Sequence, residues 1–341
     1  MEIDLPISKS IANRWLMLQA IHGDGLMPVS AAMPDDVRLL HGALGALQER
    51  KQGEVLTLDL QNCGTAMRFL TAYCTQLPDC EVLLTGVERM QQRPIGQLVD
   101  ALRVLGAEVE YAGKEGFPPL RIHGKALDVA GKVEEMLQPQ SSQFVSALMM
   151  VGVEVRTDCT SPYIYMTRRL IEEYTVRAKD FEIERDWSAA AFWYEYVALH
   201  GGEIMLRGLS MDSLQGDRAV VNVFEPLGVL STYYPPYIRL AKCTGDFTLP
   251  RAIDVDFTDI PDLYPAVALT CERLGVVLHA SGTACLRWKE SDRLDAVAHH
   301  RTCSDHRMAM ALMAAGYEVD DTVCVSKSYP QFISQLCKLQ P

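Results

Sequence analysis

Apolar residues recur at helical spacing through Leu98, Val99, Ala101, Leu102, Val104 and Leu105, and the run stops at Gly106. Strand-type residues follow over 107–112 and 119–124. The pattern predicts an amphipathic helix, a glycine able to take the left-handed cap conformation, and two strands. The same phrase returns at 221–228, followed by 229–234 and 237–241. It returns again at 308–316, followed by 317–319 and 322–326. Gly106 and Gly228 stand far enough apart for two units of roughly 60 residues. Three copies of helix, glycine, strand, strand imply an α/β protein assembled from one supersecondary unit. Further helices are predicted over 11–22, 37–49, 65–76, 143–152, 164–174, 188–199 and 262–275, with a strand over 202–209. The clearest break in the chain is near Leu209, before the turn 210–216.

The chain has 341 residues and a mass of 38.0 kDa. That is room for about two domains and a large core without disulfides. Hydrophobic residues are 48% and charged residues 22%, which rules out global disorder. A net charge of −12 argues against a general nucleic-acid binder. It leaves room for an anionic substrate in a locally basic site. The most apolar stretch, 144–155, is short of the roughly 20 residues that span a bilayer. The first residues carry neither a basic segment nor a long apolar run, so no signal peptide is expected. Ten cysteines are scattered with no Cys-x-x-Cys pair. They read as buried free thiols in a reducing cytosol, with no zinc site. Phosphate-loop, dinucleotide and nucleophile-elbow signatures are absent.

Polar clusters stand where helices are expected to begin. These are Lys9-Ser10 before a helix carrying Arg14, Asn62-Cys63-Gly64-Thr65 before one carrying Arg68, Arg93-Pro94, Ser141-Ser142-Gln143, Lys289-Glu290-Ser291-Asp292-Arg293, and Asp305-His306-Arg307. Lys327 is expected at a strand end. Helix N-termini with small donors, lysine and arginine suit phosphate and carboxylate. Any single cluster reads equally as a cap with solvated charges. Six clusters at comparable places in a repeated unit point to a site for phosphorylated, carboxylated small molecules.

Taken in order, the motifs are Leu5-Pro6-x-Ser8-Lys9-Ser10-Ile11-x-Asn13-Arg14, Asn62-x-Gly64-Thr65-Ala66-Met67-Arg68, Glu88-Arg89-Met90-x-x-Arg93-Pro94-Ile95-Gly96, Ser141-Ser142-Gln143-Phe144, Leu214-Gln215-Gly216-Asp217, Lys289-Glu290-Ser291-Asp292-Arg293-Leu294 and Asp305-His306-Arg307-Met308-Ala309-Met310. Together they resemble the 5-enolpyruvylshikimate-3-phosphate synthase family over nearly the whole chain. The resemblance implies a two-domain, inverse α/β barrel-like fold of repeated βαβαββ units, with the active site in the interdomain cleft. We expect one domain over 8–208, and a second over 209–341 together with 1–7. It also implies a cytoplasmic monomer acting on two small molecules, without metal or organic cofactor, and without nucleic-acid or membrane partners.

The implied reaction moves the enolpyruvyl group of phosphoenolpyruvate onto the 5-hydroxyl of shikimate 3-phosphate and releases phosphate through a tetrahedral intermediate. Such chemistry needs a base, an acid and cations for two phosphoryl groups and two carboxylates. By the resemblance, Asp262 is the base near the hydroxyl, and Glu290 and Lys9 are the other proton-transfer candidates. Phosphoenolpyruvate falls to Lys9, Gly64, Arg93, Gln143, Arg293, Arg307 and Lys327. Arginine pairs bidentately with both anionic groups, and Gly64 allows close backbone approach. Shikimate 3-phosphate falls to Lys9, Ser10, Arg14, Ser141, Ser142, Gln143, Ser161, Asp262 and Lys289. The family makes this a target of glyphosate at the phosphoenolpyruvate site.

The chain departs from the family pattern in places. Thr160-Ser161-Pro162-Tyr163 is one residue short of the usual motif, and Cys285 stands where asparagine is usual. The stretches 151–158, 175–186 and 293–305 are abridged, and a first strand before Met1 is not seen. Losing strands from a packed sheet should leave open edges. Two alternatives therefore stand beside the synthase. One is a degenerate homologue that binds phosphorylated ligands without turnover. The other is UDP-N-acetylglucosamine enolpyruvyl transferase.

Overall fold

A computed structural model describes residues 1–129, 132–136, 138–177 and 181–339. The chain divides into two compact units. One comprises Met1–Lys9, Ser30–Asp35 and Glu182–Pro341, and the other Ser10–Val29 and Asp36–Phe181. The sequence reading put the break at Leu209; residues 182–208 instead pack with the C-terminal unit. The cause is the helix α7 (Trp187–His200), which is apolar on all sides and so must be buried all round. Its Trp187, Phe192, Trp193 and Tyr194 share one core with Phe224, Leu263 and Phe332.

In the unit holding Asp36–Phe181, β2 (Val55–Asp59), α3 (Gly64–Thr75), β3 (Cys80–Thr85), α4 (Gly96–Val104), β4 (Glu108–Tyr111) and β5 (Leu120–Gly124) form one repeat. The strands lie in the order β2-β3-β5-β4. β2 and β3 are parallel and the other two pairs antiparallel. This is the expected βαβαββ unit. A shorter one follows: β6 (Val133–Glu135), α5 (Ser142–Met150), β7 (Glu154–Arg156) and α6 (Pro162–Arg177), with only the parallel pair β6–β7 among the described residues. The helices α1 (Lys9–His22) and α2 (Asp35–Gln48) begin at the ends of this unit's segments.

The other unit repeats the scheme. β1 (Glu2–Asp4) pairs in parallel with β8 (Glu203–Arg207), which follows α7, although the two strands are separated by the whole of the other unit. After α8 (Val220–Phe224) come β9 (Val229–Tyr234) and β10 (Tyr237–Lys242), giving the order β1-β8-β10-β9. The second copy is again short: β11 (Ala252–Asp256), α9 (Tyr264–Leu274) and β12 (Val277–Ser281) make a two-stranded parallel sheet. The helices α10 (Arg293–Ala298), α11 (His306–Ala314) and α12 (Phe332–Leu336) complete it.

Two of the predicted phrases form as read. Gly106 and Gly228 take φ of +94° and +88°, a conformation that costs glycine least. The third phrase does not. No strand forms over 317–319 or 322–326, and Lys327 ends a 3-10 turn, Val323–Lys327, rather than a strand. The Asp321 side chain accepts from the backbone N–H of Val323 (2.9 Å) and of Cys324 (3.2 Å). Those donors are thereby spent locally and cannot enter a ladder. The anticipated open edges are present: β12 has no second neighbour among the described residues, and its Val277 is 56% exposed. Among the described residues no helix is long and apolar enough to cross a membrane.

Candidate active-site residues

In the unit that holds Glu182–Pro341, the expected residues converge on Arg293, the first residue of α10. Asp292 caps that helix, its carboxylate accepting from Leu294 N. Arg293 is 1% exposed, and acids take all three of its guanidinium nitrogens. Nη1 donates to Asp262 Oδ1 (2.7 Å), Nη2 to Glu290 Oε2 (3.1 Å) and Nε to Asp305 Oδ2 (2.9 Å). Asp305 in turn caps α11 by accepting from Arg307 N (3.0 Å), and also accepts from Ser291 Oγ (3.0 Å). A guanidinium can be taken out of water this completely only because its donors are matched by carboxylates.

Asp262 sits on the 3-10 turn Pro261–Leu263 and gathers three cations. Besides Arg293 it meets Arg307 Nη2 at 2.8 Å and Lys289 Nζ at 3.3 Å. Burial alone would raise its pKa, but Arg307, Lys289 and Arg293 overcome that and hold it well below the usual carboxylate range. Asp217, 3% exposed, behaves oppositely. Burial and then the nearby Asp262 charge push it up to about 7, although Arg307 and a hydrogen bond from Ser188 Oγ work against this.

His306 is wholly buried, and neither ring nitrogen has a hydrogen-bond partner among the described residues. Burial first, then Lys9, Arg307 and Lys327, drive its pKa well below the usual value, with Glu290 opposing. The ring is therefore neutral at pH 7. The same influences show that Lys9, Glu290, Arg307 and Lys327 gather around it. Lys9 N also donates to Asp186 Oδ2 (3.2 Å), the carboxylate whose other oxygen caps α7 through Ala189 N (2.9 Å).

The other unit holds a second set. Gly64 lies against Arg93: a Cβ built on it would fall 2.5 Å from Arg93 Nη2 and 2.7 Å from Nη1. Arg93 Nη1 reaches Asn62 O (3.4 Å), and Gln143 Nε2 donates to Thr65 Oγ1 (3.1 Å). Arg68 ties the same region together by donating to Pro94 O (3.1 Å) and Gly64 O (3.4 Å). Ser141 caps α5, its Oγ accepting from Gln143 N, and Ser142 opens that helix, half-buried. Arg14 lies on α1. It is 2% exposed and donates to Thr167 Oγ1 (2.7 Å), Ser10 O (2.9 Å) and Ser146 Oγ (3.3 Å). Burial lowers its pKa to about 10, which leaves it cationic at pH 7. Ser161 accepts from Tyr163 N (3.3 Å) at the start of α6.

Several residues of these clusters carry roles that the sequence reading did not assign. Asp305 was visible inside a motif, but its hold on Arg293 was not, and Asp217 was likewise quoted without a role. Ser146 and Thr167 had no signal: each is a small hydroxyl within a helix and outside the quoted motifs, and only the fold brings it to Arg14.

Repeated βαβαββ units carrying clusters of buried arginines and carboxylates at helix N-termini define an α/β protein built to handle phosphate and carboxylate. The family model described as EPSP synthase (3-phosphoshikimate 1-carboxyvinyltransferase) matches residues 1–179 and 151–300, and the chain belongs to that family. A 3-phosphoshikimate 1-carboxyvinyltransferase of Bacteroides fragilis is 36% identical, covering 98% of this chain and 94% of that protein. Its namesake in Shewanella woodyi is 32% identical, with 99% and 96% covered. The solved EPSP synthase of Acinetobacter baumannii superposes with a TM-score of 0.68 at 19% identity, covering 99% of this chain and 95% of that one. The Bacteroides alignment runs over 399 positions and this chain has 341 residues, so at least 58 positions of it have no residue here.

Proposed function

We propose that the protein transfers the enolpyruvyl group of phosphoenolpyruvate to the 5-hydroxyl of shikimate 3-phosphate, releasing phosphate. Family membership supports the reaction class, and the observation that carries the assignment is Asp262 in its setting of Arg293, Arg307 and Lys289. Asp262 takes the hydroxyl proton. Held so low by three cations it is a weak base, and the incoming phosphoenolpyruvate changes that. Its phosphate and carboxylate compete for Arg307, with Lys9 and Lys327 close by, and each cation drawn away raises the basicity of Asp262.

Arg293 holds Asp262 and Glu290 in place and, with Arg307, also serves phosphoenolpyruvate. Glu290 and Lys9 supply and receive the remaining proton at the methylene carbon and the departing phosphate. In the other unit Arg93, with Gly64 beside it, and Gln143 serve phosphoenolpyruvate. Ser10, Arg14, Ser141, Ser142, Gln143 and Ser161 serve shikimate 3-phosphate, and Arg14 also links α1 to α5 and α6.

Phosphate release from the two substrates tests this. Asp262→Ala should lower kcat by about 10²–10⁴-fold, the usual worth of a positioned acid or base, and Lys9→Ala should be similarly impaired. A second reading is favoured by the two-stranded sheets β6–β7 and β11–β12: a homologue that binds both ligands without turnover. Calorimetric binding of both ligands by folded protein with no phosphate released would establish it and overturn the synthase assignment.

A further inference from the structure

We propose that Asp186 is a positioning residue for Lys9: its carboxylate fixes the first residue of α1 against the start of α7, and so sets where the Lys9 ammonium meets the phosphorylated substrates. The inference rests on the part given to Lys9 under the proposed function. Asp186 itself stands in none of the sequence motifs and takes no part in the proposed reaction.

Asp186 is 4% exposed and immediately precedes α7. Each of its oxygens takes a backbone N–H from a different helix. Oδ1 accepts from Ala189 N (2.9 Å) in the first turn of α7, and Oδ2 accepts from Lys9 N (3.2 Å), the first residue of α1. Both donors belong to the first turn of a helix, where an N–H has no partner within the helix. A negative group placed between two helix starts also meets the positive ends of both dipoles. The arrangement calls for a carboxylate. An amide of the same length presents one oxygen and one donor group, and a serine hydroxyl has a single oxygen.

The backbone on both sides of this bond is held as well. Residues 6–8 run antiparallel to 184–186: Ser8 N donates to Glu184 O (2.7 Å), Asp186 N donates to Pro6 O (3.0 Å), and Ile7 bridges Arg185. Gln215, 6% exposed, grips 184–187 with its side chain. Its Nε2 donates to Arg185 O (2.7 Å) and Glu184 Oε2 (2.9 Å), and its Oε1 accepts from Trp187 N (3.1 Å). Glu184 Oε1 in turn accepts from Leu214 N (3.2 Å). Asp186 is therefore clamped before it reaches Lys9, and Lys9 inherits that fixed place. Lys9 is itself buried, so a shift of its backbone is not absorbed by a swing of the side chain through solvent.

The test uses two substitutions that keep the α7 cap and remove the bond to Lys9. Asparagine and serine cap helices about as well as aspartate. In Asp186→Asn the amide oxygen serves Ala189 N and leaves an NH2 group facing Lys9 N; in Asp186→Ser the one oxygen serves Ala189 N. Binding of shikimate 3-phosphate to the full folded chain is measured by calorimetry. Lys9→Ala should weaken it by about 10–10²-fold, the worth of a charge-assisted hydrogen bond. Asp186→Asn and Asp186→Ser should each weaken it by a smaller factor, and Lys9→Ala combined with Asp186→Asn should bind no more weakly than Lys9→Ala alone. With phosphoenolpyruvate added, kcat of both Asp186 variants should fall by roughly 10–10²-fold, the cost of a catalytic group misplaced by about 1 Å. Asp186→Ala, which also loses the cap, should melt at a lower temperature than either and yet bind no worse. The proposal is overturned if Asp186→Asn and Asp186→Ser bind and turn over as wild type does while Lys9→Ala is impaired. It is equally overturned if the double variant binds more weakly than Lys9→Ala, or if binding by the three Asp186 variants follows their melting temperatures. Wild type that binds shikimate 3-phosphate but releases no phosphate overturns the synthase reading instead, and the binding comparisons still decide this one. Binding left unchanged by Lys9→Ala would remove the part given to Lys9 and this proposal with it.

Discussion

Replacing Arg293 by methionine separates the buried network from ordinary surface pairing. Methionine keeps much of the apolar stem and removes every charged donor. Asp262 retains Arg307 and Lys289, but among the described residues the Asp305 carboxylate keeps only the Ser291 hydroxyl and the Arg307 N–H as hydrogen-bond donors, inside the protein. Breaking a buried ion pair from one side costs about 3–5 kcal/mol, because the other charge is left without compensation. At roughly 2–4 °C per kcal/mol for a domain of about 150–250 residues, the melting temperature should fall by roughly 6–20 °C. Arg293→Lys should fall between, since an ammonium keeps the charge but cannot reach three acids in a fork. Thermal unfolding by calorimetry at pH 7 measures the effect. The pH dependence gives a second reading. Asp262 is depressed in the folded state, so its contribution is complete above the unfolded value near 3.9 and is lost as pH falls through the folded one. With one cation gone the depression is smaller, so the gap between wild type and Arg293→Met should narrow in acid. A loss below about 2 °C at pH 7, or a gap that widens in acid, would refute the reasoning.

Gly64→Ala should force the Arg93 guanidinium aside and raise KM for phosphoenolpyruvate more than it lowers kcat; steady-state kinetics showing an unchanged KM would count against that contact. Glu195 is wholly buried with neither oxygen hydrogen-bonded among the described residues, and burial raises its pKa well above the usual value. A carboxyl raised in the folded state contributes stability at low pH that is lost as pH rises through the folded value. Glu195→Gln, which cannot ionise, should therefore match wild type in acid, below the unfolded value of about 4.3, and outlast it increasingly as pH rises above that, as unfolding curves at several pH values would show. Asp217 takes up its proton near neutrality, so Asp217→Asn should remove an inflection near pH 7 from the stability profile. Trp193→Ala should cost about 3–5 kcal/mol, since the ring is fully buried and its Nε1 donates to Tyr329 Oη (3.1 Å); chemical denaturation at equilibrium checks it.

The helices, their glycine stops and the acids and serines that cap them were readable from the sequence, because periodicity, capping and turn chemistry involve residues within a few positions of one another. Asp292, Asp305 and Ser141 each cap the helix their clusters announce. The ordered motifs disclosed the family for the same reason: each is a short local string. Where local chemistry had a competitor the reading failed, as at 322–326, where Asp321 captures the N–H groups a strand would have used. What only the tertiary structure decided is which distant polar groups meet. Asp262 and Arg293 are 31 residues apart, Arg14 and Thr167 are 153, and Lys9 and Asp186 are 177. The same holds for the unit boundary, which depends on β1 pairing with β8 across the whole intervening unit. Such contacts leave no trace in spacing along the chain, because they arise only when folding brings distant segments together and the enclosed polar groups must find partners there.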